Sequence, residues 1–555
     1  MDRSADCHGD DRAPLDAVSL SAHDANERGG LRPDVVRLRP DGAELRMGEP
    51  RSPPPSATTA PWPRPGTAAE RTPWVAVLAL TLLAAALRAV GLDGGLWLDE
   101  ILTLVESVRH PLAQIVTAFP GNNQHTLYSV LAHGSIEVFG EQAWSLRLPA
   151  LLFGAATPPM LYLLAREFEG RTQALLAGAL LAVSYHHVWF SQNARGYSAL
   201  AFFALLASWF LLRGLRRGRS SDFLWYGVAS ALGTYTHLTM VFMVIAHAAA
   251  CALLLGLPPF DRDAWPRWRL PLIGFAVAAV LSLALYAPLL LDMQQFFLKR
   301  TMPADVATPQ WAAKALFSGL QVGTGTALAA LAGAVLFACG LWSYFRQSRF
   351  LLALFVLPGA ITVAAVLALR QPIFPRFLFF LAGFGVLIVV RGALEIGARL
   401  SRRGKTGAAP APVTALGVAL VALMVVASAV SLPLNYRYPK QDFGAAMQFV
   451  EARRATGEPV LTAGGAVYPY QMYYRRPWAR VASLEQLQTI RAQGRRVWVL
   501  YTLAEYIEAS TPGLMHTLRD ECTVEAVFRG TVAGGNVTVC ALPPASGTAA
   551  SAANR

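Results

Sequence analysis

Two adjacent carboxylates, Asp99 and Glu100, follow the first long apolar segment, within the stretch Gly91–Arg109 (GLDGGLWLDEILTLVESVR). On a helix that begins at Asp99 and turns by about 100° per residue, Asp99, Thr103 and Glu106 share one face, with Glu100 on its flank. Apolar residues cover the opposite side, so the helix is expected in a membrane interface with its acidic side toward water. A carboxylate in this position can take a proton from a hydroxyl group. Asp99 is therefore the candidate catalytic residue, and the alternative is a solvated acidic face.

Four cations stand at helix ends elsewhere in the chain: Arg195 in SQNARGYS, Arg376 in RQPIFPRF, and the pair Lys299 and Arg300. Ionisable groups at membrane depth are costly, and they usually form pairs or serve a function. A carboxylate beside several cations suits glycosyl transfer, because the carboxylate activates the attacking hydroxyl while the cations hold the departing phosphate. A lipid-linked sugar phosphate would place its phosphate at this height. The alternative for each arginine alone is a headgroup anchor.

The composition indicates a membrane protein. Of 555 residues, 54% are hydrophobic and 15% are charged, and the mean hydropathy is +0.39. A soluble domain would have about a quarter of its residues charged. The net charge of +13 comes mostly from arginines in short loops between apolar segments. Such arginines orient a protein in the membrane, so nucleic acid is not an expected partner.

Eleven segments have the roughly 20 mostly apolar residues, or nearly so, that a spanning helix needs. The segment His125–Phe139 is also apolar but too short, and we expect it to lie outside as a second interfacial helix. The predicted spans are Trp74–Val90, Leu146–Ala165, Thr172–Phe190, Ala199–Leu212, Phe223–Tyr235, Leu238–Leu257, Leu270–Leu291, Ala327–Tyr344, Phe350–Leu369, Phe377–Val390 and Val413–Leu432.

The distribution of basic residues predicts the orientation of these spans. With the N-terminus in the cytoplasm, the cytoplasmic connections are the arginine-rich ones, around residues 166–171, 213–219, 262–269, 346–349 and 391–405. The outside connections have fewer basic residues, as the positive-inside rule requires. The first loop (residues 91–145), the turn with Arg195, the loop after residue 291 and the turn with Arg376 then lie on one external surface.

The predicted architecture has four parts. Residues 1–72, rich in Pro, Ala, Asp and Arg, form a disordered cytoplasmic tail without a cleavable signal peptide. Residues 73–434 form the polytopic α-helical membrane domain, residues 435–545 a small external α/β domain, and residues 546–555 a disordered tail. In the α/β domain, Asn536–Leu542 resembles a terminal edge strand. Cys522 and Cys540 lie there on the oxidising side, where a disulfide and two free cysteines both remain open.

Several motifs resemble one family. WLDE at Trp97–Glu100 is similar to the Asp-Glu motif in the first external loop of the GT-C superfamily of membrane glycosyltransferases. That superfamily includes the protein O-mannosyltransferases, the lipid A aminoarabinose transferases and the Rgt-type enzymes. The resemblance covers roughly Trp74–Leu542. It continues, in the same order, in NNQHTLYSVLAHGSIEVFG, SLRLPALLFG, SYHHVWFSQNARGYSAL, FPRFLFFLAGFGVLI and KQDFGAAMQFV.

The resemblance implies a GT-C fold and transfer of a sugar from a polyprenyl-phosphate donor at the external face of a bacterial inner membrane, usually with inversion at C1. It implies Asp99 as the base or acceptor-positioning carboxylate, with Glu100 beside it. The resemblance does not single out one sugar or one class of acceptor: a glycan, a lipid and a protein hydroxyl all remain open. No obligatory cofactor is implied, although Asp99, Glu100 and His125 suit a divalent metal ion. The residues implied in binding the donor phosphate or substrate are Arg195, Arg376, Gln192, Tyr197, His125, Lys299 and Arg300.

Two departures and two alternatives remain. Relatives often have HPPL where this chain has HTL from His125, and QEAR where it has QNAR, so Asn193 cannot supply a charge. A lipid flippase or transporter would predict ionisable residues and broken helices near the middle of the membrane. A non-catalytic scaffold would predict that Asp99 is dispensable.

Overall fold

The computed structural model describes residues 74–121, 123–257, 264–299, 326–369, 374–401 and 413–544, with residues 310 and 313. These residues fall within one compact unit. Both predicted tails, 1–72 and 546–555, lie outside the described residues, and so does Arg300. Lys299 is the last residue of a helix, but its side chain is also outside the described part.

Each predicted span coincides with a helix or with two consecutive helices, because long apolar runs satisfy their backbone hydrogen bonds within the segment. The helices are α1 (Trp74–Ala89), α5 (Ala143–Ala165), α6 (Arg171–Ala182), α7 (Tyr185–Ser191), α8 (Tyr197–Arg217), α9 (Ser220–Thr236), α10 (Met240–Leu255), α11 (Ala264–Tyr286), α13 (Ala327–Gln347), α14 (Arg349–Ala368), α15 (Ala382–Ser401) and α16 (Ala415–Arg437). Between α11 and α13 lie a 3₁₀ turn (Ala287–Leu289) and α12 (Leu290–Lys299), and a 3₁₀ helix (Pro375–Leu381) precedes α15.

Seven helical runs in the described part are long and apolar enough to cross a membrane, and α6 with α7 would make an eighth. That pair is bent by 58°. The protein is therefore a multi-pass helical membrane protein, while eleven spans stays a prediction. The bend falls inside Thr172–Phe190, which the sequence analysis predicts as one continuous span. It places the residues after Ser191, including Arg195, in a turn between α7 and α8.

The first loop contains α2 (Leu98–Thr103), a π-helical turn (Leu104–Val108), α3 (Leu112–Thr117) and α4 (Thr126–Phe139). The predicted helix from Asp99 is present, but its regular period ends at Thr103. A π turn has a wider hydrogen-bond step than an α-helix, so the residues after Thr103 rotate relative to the predicted face. Helix α4 ends at Gly140, whose φ of +80° favours glycine.

The C-terminal part contains a five-stranded sheet with the order β2-β1-β3-β5-β4. Strands β1, β2 and β3 are parallel, and β5 is antiparallel to both β3 and β4. The prediction of β5 as an edge strand is wrong, because the exposed strand β4 covers its other side. The elements are α17 (Phe443–Arg453), β1 (Val460–Gly464), a π-helical turn (Pro469–Tyr473), β2 (Ala479–Arg480), α18 (Leu484–Arg491), β3 (Val497–Thr502), α19 (Ala504–Ser510), α20 (Pro512–Asp520), β4 (Thr523–Phe528) and β5 (Val537–Leu542).

A disulfide joins Cys522, just before β4, to Cys540 on β5, with 5.6 Å between their Cα atoms. The sequence leaves open a disulfide or two free cysteines, and the structure has the disulfide. Two cysteines in the membrane helices, Cys251 and Cys339, are free.

The apolar face of the first loop packs against the C-terminal part of the chain, where α2 contacts the π-helical turn Pro469–Tyr473. Ile101, Leu104 and Val108 belong to one buried cluster with Trp498 of β3 and Val539 of β5. Burial of apolar surface at about 25 cal/mol per Å² makes this contact strongly stabilising. The helix that carries Asp99 thus contacts both the membrane helices and the C-terminal part, with its apolar side toward protein.

Candidate active site

Asp99, Arg195 and Arg376 come together from three distant segments of the chain. The Asp99 carboxylate, 14% exposed, accepts a hydrogen bond from Arg195 Nη1 at 2.7 Å and another from Arg376 Nη1 at 3.5 Å, both on Oδ2. Asp99 lies in the first turn of α2, Arg195 in the turn between α7 and α8, and Arg376 in the 3₁₀ helix before α15. The site is therefore one carboxylate shared by two guanidinium groups.

Arg195 is almost completely buried, with 2% of its side chain exposed. Its Nη1 also donates to Asn123 Oδ1, and its Nη2 lies 3.4 Å from the Tyr197 hydroxyl. The guanidinium carbon is 5.3 Å from the centre of the Tyr197 ring. Asn123 in turn donates to the Asp99 carbonyl and to Thr103 Oγ1, both at 3.2 Å. Asn123 is a site residue that the sequence analysis missed, although it precedes His125 in the NNQH motif.

His125 is buried beside Arg195 and is faced by two hydrogen-bond donors. Its Nδ1 accepts from the Gly196 amide at 2.7 Å, and its Nε2 lies 3.3 Å from Arg195 Nη2. Burial, with Arg195, His237 and Arg376 nearby, holds the pKa of His125 well below its usual value. A neutral imidazole has one lone pair, and Gly196 uses it. The proton therefore lies on Nε2, and this N–H points toward the guanidinium without an acceptor.

His237 is a second histidine at the site, half-buried, and the sequence analysis missed it. Its ring centre is 4.9 Å from that of His125 and 5.7 Å from that of Tyr197. Burial, then the charges of Arg195 and Arg376, lower the pKa of His237 to about 3, so it is neutral. Its Nδ1 accepts from the Thr239 hydroxyl at 2.9 Å. The sequence does contain one signal for His237: it lies in the break between the two predicted spans on either side of Thr236.

Glu100 does not flank the water-facing side of α2 as expected. It is fully buried and forms two hydrogen bonds with Arg147 of α5, at 2.7 Å and 2.6 Å. It also accepts from the amides of Ala194 at 2.7 Å and Trp97 at 3.3 Å. Burial raises the pKa of Glu100, but the Arg147 charge and these hydrogen bonds outweigh it and hold the pKa below its usual value. Glu100 therefore joins α2, α5 and the turn with Arg195.

Gln192 also stabilises the turn between α7 and α8, through contacts with other segments than those that Glu100 joins. Its amide nitrogen donates to the carbonyls of Arg88 and Val90 at the end of α1, at 2.9 Å and 2.6 Å, and its Oε1 accepts from Asn435 at 2.7 Å. These contacts use the polar atoms of its side chain away from Asp99. Gln192 therefore positions the turn, and Tyr197, which contacts Arg195, stays among the candidate substrate-binding residues.

The three residues named as possible metal ligands do not come together, because Glu100 is bonded to Arg147. Within the described ranges, no three His, Cys, Asp or Glu side chains are grouped as a metal site requires.

Comparisons with known proteins find a family model and one curated relative that match part of the chain. Residues 126–291, which include Arg195 and His237, match the sequence model of the family described as dolichyl-phosphate-mannose-protein mannosyltransferase. The putative mannosyltransferase YkcB of Bacillus subtilis (strain 168) is 25% identical over 155 residues. This match covers 28% of the chain and 21% of that relative, so the chain spans about a fifth of the relative's length.

Among solved structures, ArnT from Cupriavidus metallidurans in the apo state has 15% identity and a TM-score of 0.46, over 84% of this chain and 97% of that one. The apo oligosaccharyltransferase of Archaeoglobus fulgidus has 13% identity and a TM-score of 0.46, over 79% and 71%. The match to the mannosyltransferase family model and the Bacillus relative confirm the resemblance seen in the motifs. Over residues 126–291 the chain is thus similar to the dolichyl-phosphate-mannose-protein mannosyltransferases.

Proposed function

We propose that this protein transfers a sugar from a polyprenyl-phosphate donor to an acceptor hydroxyl, with Asp99 as the base and Arg195 and Arg376 holding the donor phosphate. The observation that carries the proposal is the sharing of the Asp99 carboxylate by two arginines whose Nε donors are unused. Arg195 Nε and Arg376 Nε are both buried without a hydrogen-bond partner in the described part of the chain. The Nε2–H of His125 also has no acceptor among the residues that the structure describes.

Unsatisfied buried donors favour an oxyanion at this place. Each one costs about 1–3 kcal/mol when it is left without a partner. A phosphate has several acceptor oxygens and forms strong charge-assisted bonds with guanidinium groups. A phosphate bound among Arg195, Arg376 and His125 would satisfy these donors together. A phosphate group is therefore the ligand that the site fits best.

The charges of the site suit the reaction. Asp99 contributes one negative charge and the two arginines two positive charges, so one positive charge remains for a donor phosphodiester. When the bond between C1 and the phosphate oxygen breaks, the phosphate leaves with a second negative charge. The arginines bind this product-like charge more strongly than the ground state, which lowers the barrier.

Binding of the donor phosphate to the arginines also prepares Asp99 to act as the base. Once phosphate oxygens occupy the arginines, the carboxylate is released to accept the proton of the acceptor hydroxyl. The hydroxyl oxygen forms the new bond to C1 as the phosphate departs from the opposite face, so the configuration at C1 inverts. The proton remains on Asp99 until water removes it.

The comparisons support this reaction class. The matched family is described by transfer of mannose from dolichyl phosphate to protein, and the Bacillus relative is named a putative mannosyltransferase. We infer from the arginine distribution that the N-terminus is cytoplasmic and that Asp99 and the C-terminal sheet lie outside, in a bacterial inner membrane. The acceptor is a glycan, lipid or protein hydroxyl at that face.

The test uses the full chain in lipid nanodiscs. Undecaprenyl phosphate binding is measured by native mass spectrometry, and transfer is measured in membranes with undecaprenyl-phosphate sugars bearing labelled hexoses or pentoses. Asp99→Asn keeps the shape of the side chain and removes the base, so transfer should fall by about 10²–10⁴-fold while undecaprenyl phosphate still binds. Glu141→Gln, in an exposed pair with Arg109, is the matched control. Unchanged transfer by the Asp99 variant would refute the assignment.

A further inference from the structure

A second cation-lined cavity lies behind the turn that carries Arg195. It has a volume of about 330 Å³ and is bounded by the end of α1, the loop that follows it and the segment that joins α16 to the C-terminal part. The polar side chains that line it include Asp93, Arg147, Gln192, Asn435, Arg437 and Lys440. Neither Asp99 nor Arg376 is among its lining residues, so this cavity is separate from the proposed donor site.

Lys440 is the unusual group in this cavity. Its side chain is buried, with 9% exposed, and its Nζ donates to the Gln192 carbonyl at 2.6 Å. The Nζ also lies 5.4 Å from the centre of the Trp189 ring. Within the described residues, no carboxylate comes within 4.0 Å of it, and two of the three ammonium donors are unassigned. Burial of an ammonium without an opposite charge is costly, and here burial lowers the pKa of Lys440 to about 7.

The remaining charges of the cavity leave an excess of positive charge. Arg147 is neutralised by Glu100, and Arg437 has no ion pair among the described residues. Asp93 is the acidic residue of the lining, and its carboxylate accepts a hydrogen bond from the Trp144 amide at 3.3 Å. Glu100, which Arg147 already pairs, also acts on Lys440 through its charge. The three cations Arg147, Arg437 and Lys440 thus outnumber the two carboxylates Glu100 and Asp93, which leaves one positive charge over.

The position of the cavity suits a ligand at the membrane surface. The apolar helices α1 and α16 both end at its edge, and Tyr436 and Tyr438 line it. Tyrosines and arginines at helix ends are typical of the headgroup layer. The cavity is therefore placed where phosphate headgroups are concentrated.

We propose that this cavity binds an anionic phosphate group, with the Lys440 ammonium as its principal ligand and Arg437 at its rim. The phosphate comes from a lipid headgroup or from free phosphate, which present the same chemistry to the two cations. A bound phosphate would supply an opposite charge in direct contact with Lys440, which is nearer than the charge of Glu100. Because Lys440 holds the Gln192 carbonyl, three residues before Arg195, the anion would also stabilise the catalytic turn.

The test uses the full chain in phosphatidylcholine nanodiscs, with the midpoint of thermal unfolding as readout. In one arm inorganic phosphate is titrated; in the other, phosphatidylglycerol replaces part of the lipid. We expect either addition to raise the midpoint, and Lys440→Met to abolish at least nine-tenths of the increase. Lys440→Arg, which keeps the charge, should retain it. An increase with phosphatidylglycerol alone assigns the site to a headgroup, and an increase with both assigns it to either source.

An Arg376→Gln variant separates this cavity from the donor site. It should lose undecaprenyl phosphate binding and keep the increase that depends on Lys440. If Arg376→Gln abolishes the increase and Lys440→Met does not, phosphate binds at the donor site and the cavity proposal is wrong. If neither addition raises the midpoint, the proposal is also wrong. Should Lys440→Met fail to fold, Arg437→Gln, an exposed change, is expected to weaken the response about threefold, and an unchanged response would overturn the proposal.

Discussion

Glu100 Oε1 accepts a hydrogen bond from the Ala194 amide at 2.7 Å. This bond joins the residue that follows Asp99 to the residue that precedes Arg195. The spacing of the Asp99–Arg195 pair is therefore set by its immediate neighbours. Arg147 fixes Glu100 from the other side, with a bond to each carboxylate oxygen. We assign Glu100 as a positioning residue.

Replacement of this carboxylate tests the assignment. Glu100→Gln leaves the Arg147 charge buried without its partner, so the free energy of unfolding should fall by about 3–5 kcal/mol. Glu141→Gln, which breaks the exposed pair with Arg109, should cost less than about 1 kcal/mol. Chemical denaturation of the two variants in the same detergent makes the comparison. Equal losses would show that the buried pair has no special structural role.

The shape of the Arg195 side chain matters as well as its charge. Arg195→Lys keeps one positive charge but cannot contact Asp99, Asn123 and a phosphate with a planar fork. We expect undecaprenyl phosphate to bind about 10–100-fold more weakly, which corresponds to about 1.4–2.8 kcal/mol. Arg109→Lys, in the same loop as Asp99, serves as control. Native mass spectrometry across a ligand titration gives both affinities, and wild-type affinity in the Arg195 variant would contradict the proposed phosphate contact.

The two histidines predict the form of the pH profile. The pKa of His125 lies well below its usual value, and the pKa of His237 is about 3. Neither should therefore titrate near the ordinary histidine value of about 6.5, and kcat/KM should show no inflection there between about pH 5 and 8. The measurement is the transfer rate at low substrate across this range. An inflection near 6.5 that disappears in His125→Asn would show that this histidine titrates in the working enzyme.

Lys440 predicts a second pH effect, on stability. The pKa of Lys440 is about 7 in the folded protein, against an ordinary value of 10.5 that applies to the unfolded chain. Between these two pH values the unfolded chain therefore binds up to one proton more than the folded protein. The free energy of unfolding therefore rises with pH between these two values. Below the folded-state pKa, the folded protein bears the full cost of burying a charged ammonium. The unfolding midpoint of Lys440→Met minus that of wild type should decrease from pH 6 to pH 9.5. A difference that does not change with pH would mean that Lys440 keeps an ordinary pKa.

The sequence predicts the membrane helices and the approach of Asp99 to two arginines, because apolar length and the sidedness of loops are local properties. It does not predict the place of Glu100, because that depends on Arg147 pointing inward from α5, and an arginine in an apolar helix is equally compatible with a lipid-facing position. The roles of Asn123 and His237 depend on which helix ends meet. The place of β5 depends on β4, whose exposed residues lack the pattern of a buried strand.

The packing of α2 against the C-terminal part has a consequence for biosynthesis. The cluster around Ile101 includes Val537, Val539 and Ala541 of β5, more than 400 residues later in the chain. Membrane insertion of the early helices therefore cannot by itself complete the packing around α2, the helix that carries Asp99. While the ribosome is still making the later segments, the β5 residues are absent from this cluster, so the packing around α2 is completed only after β5 has been synthesised.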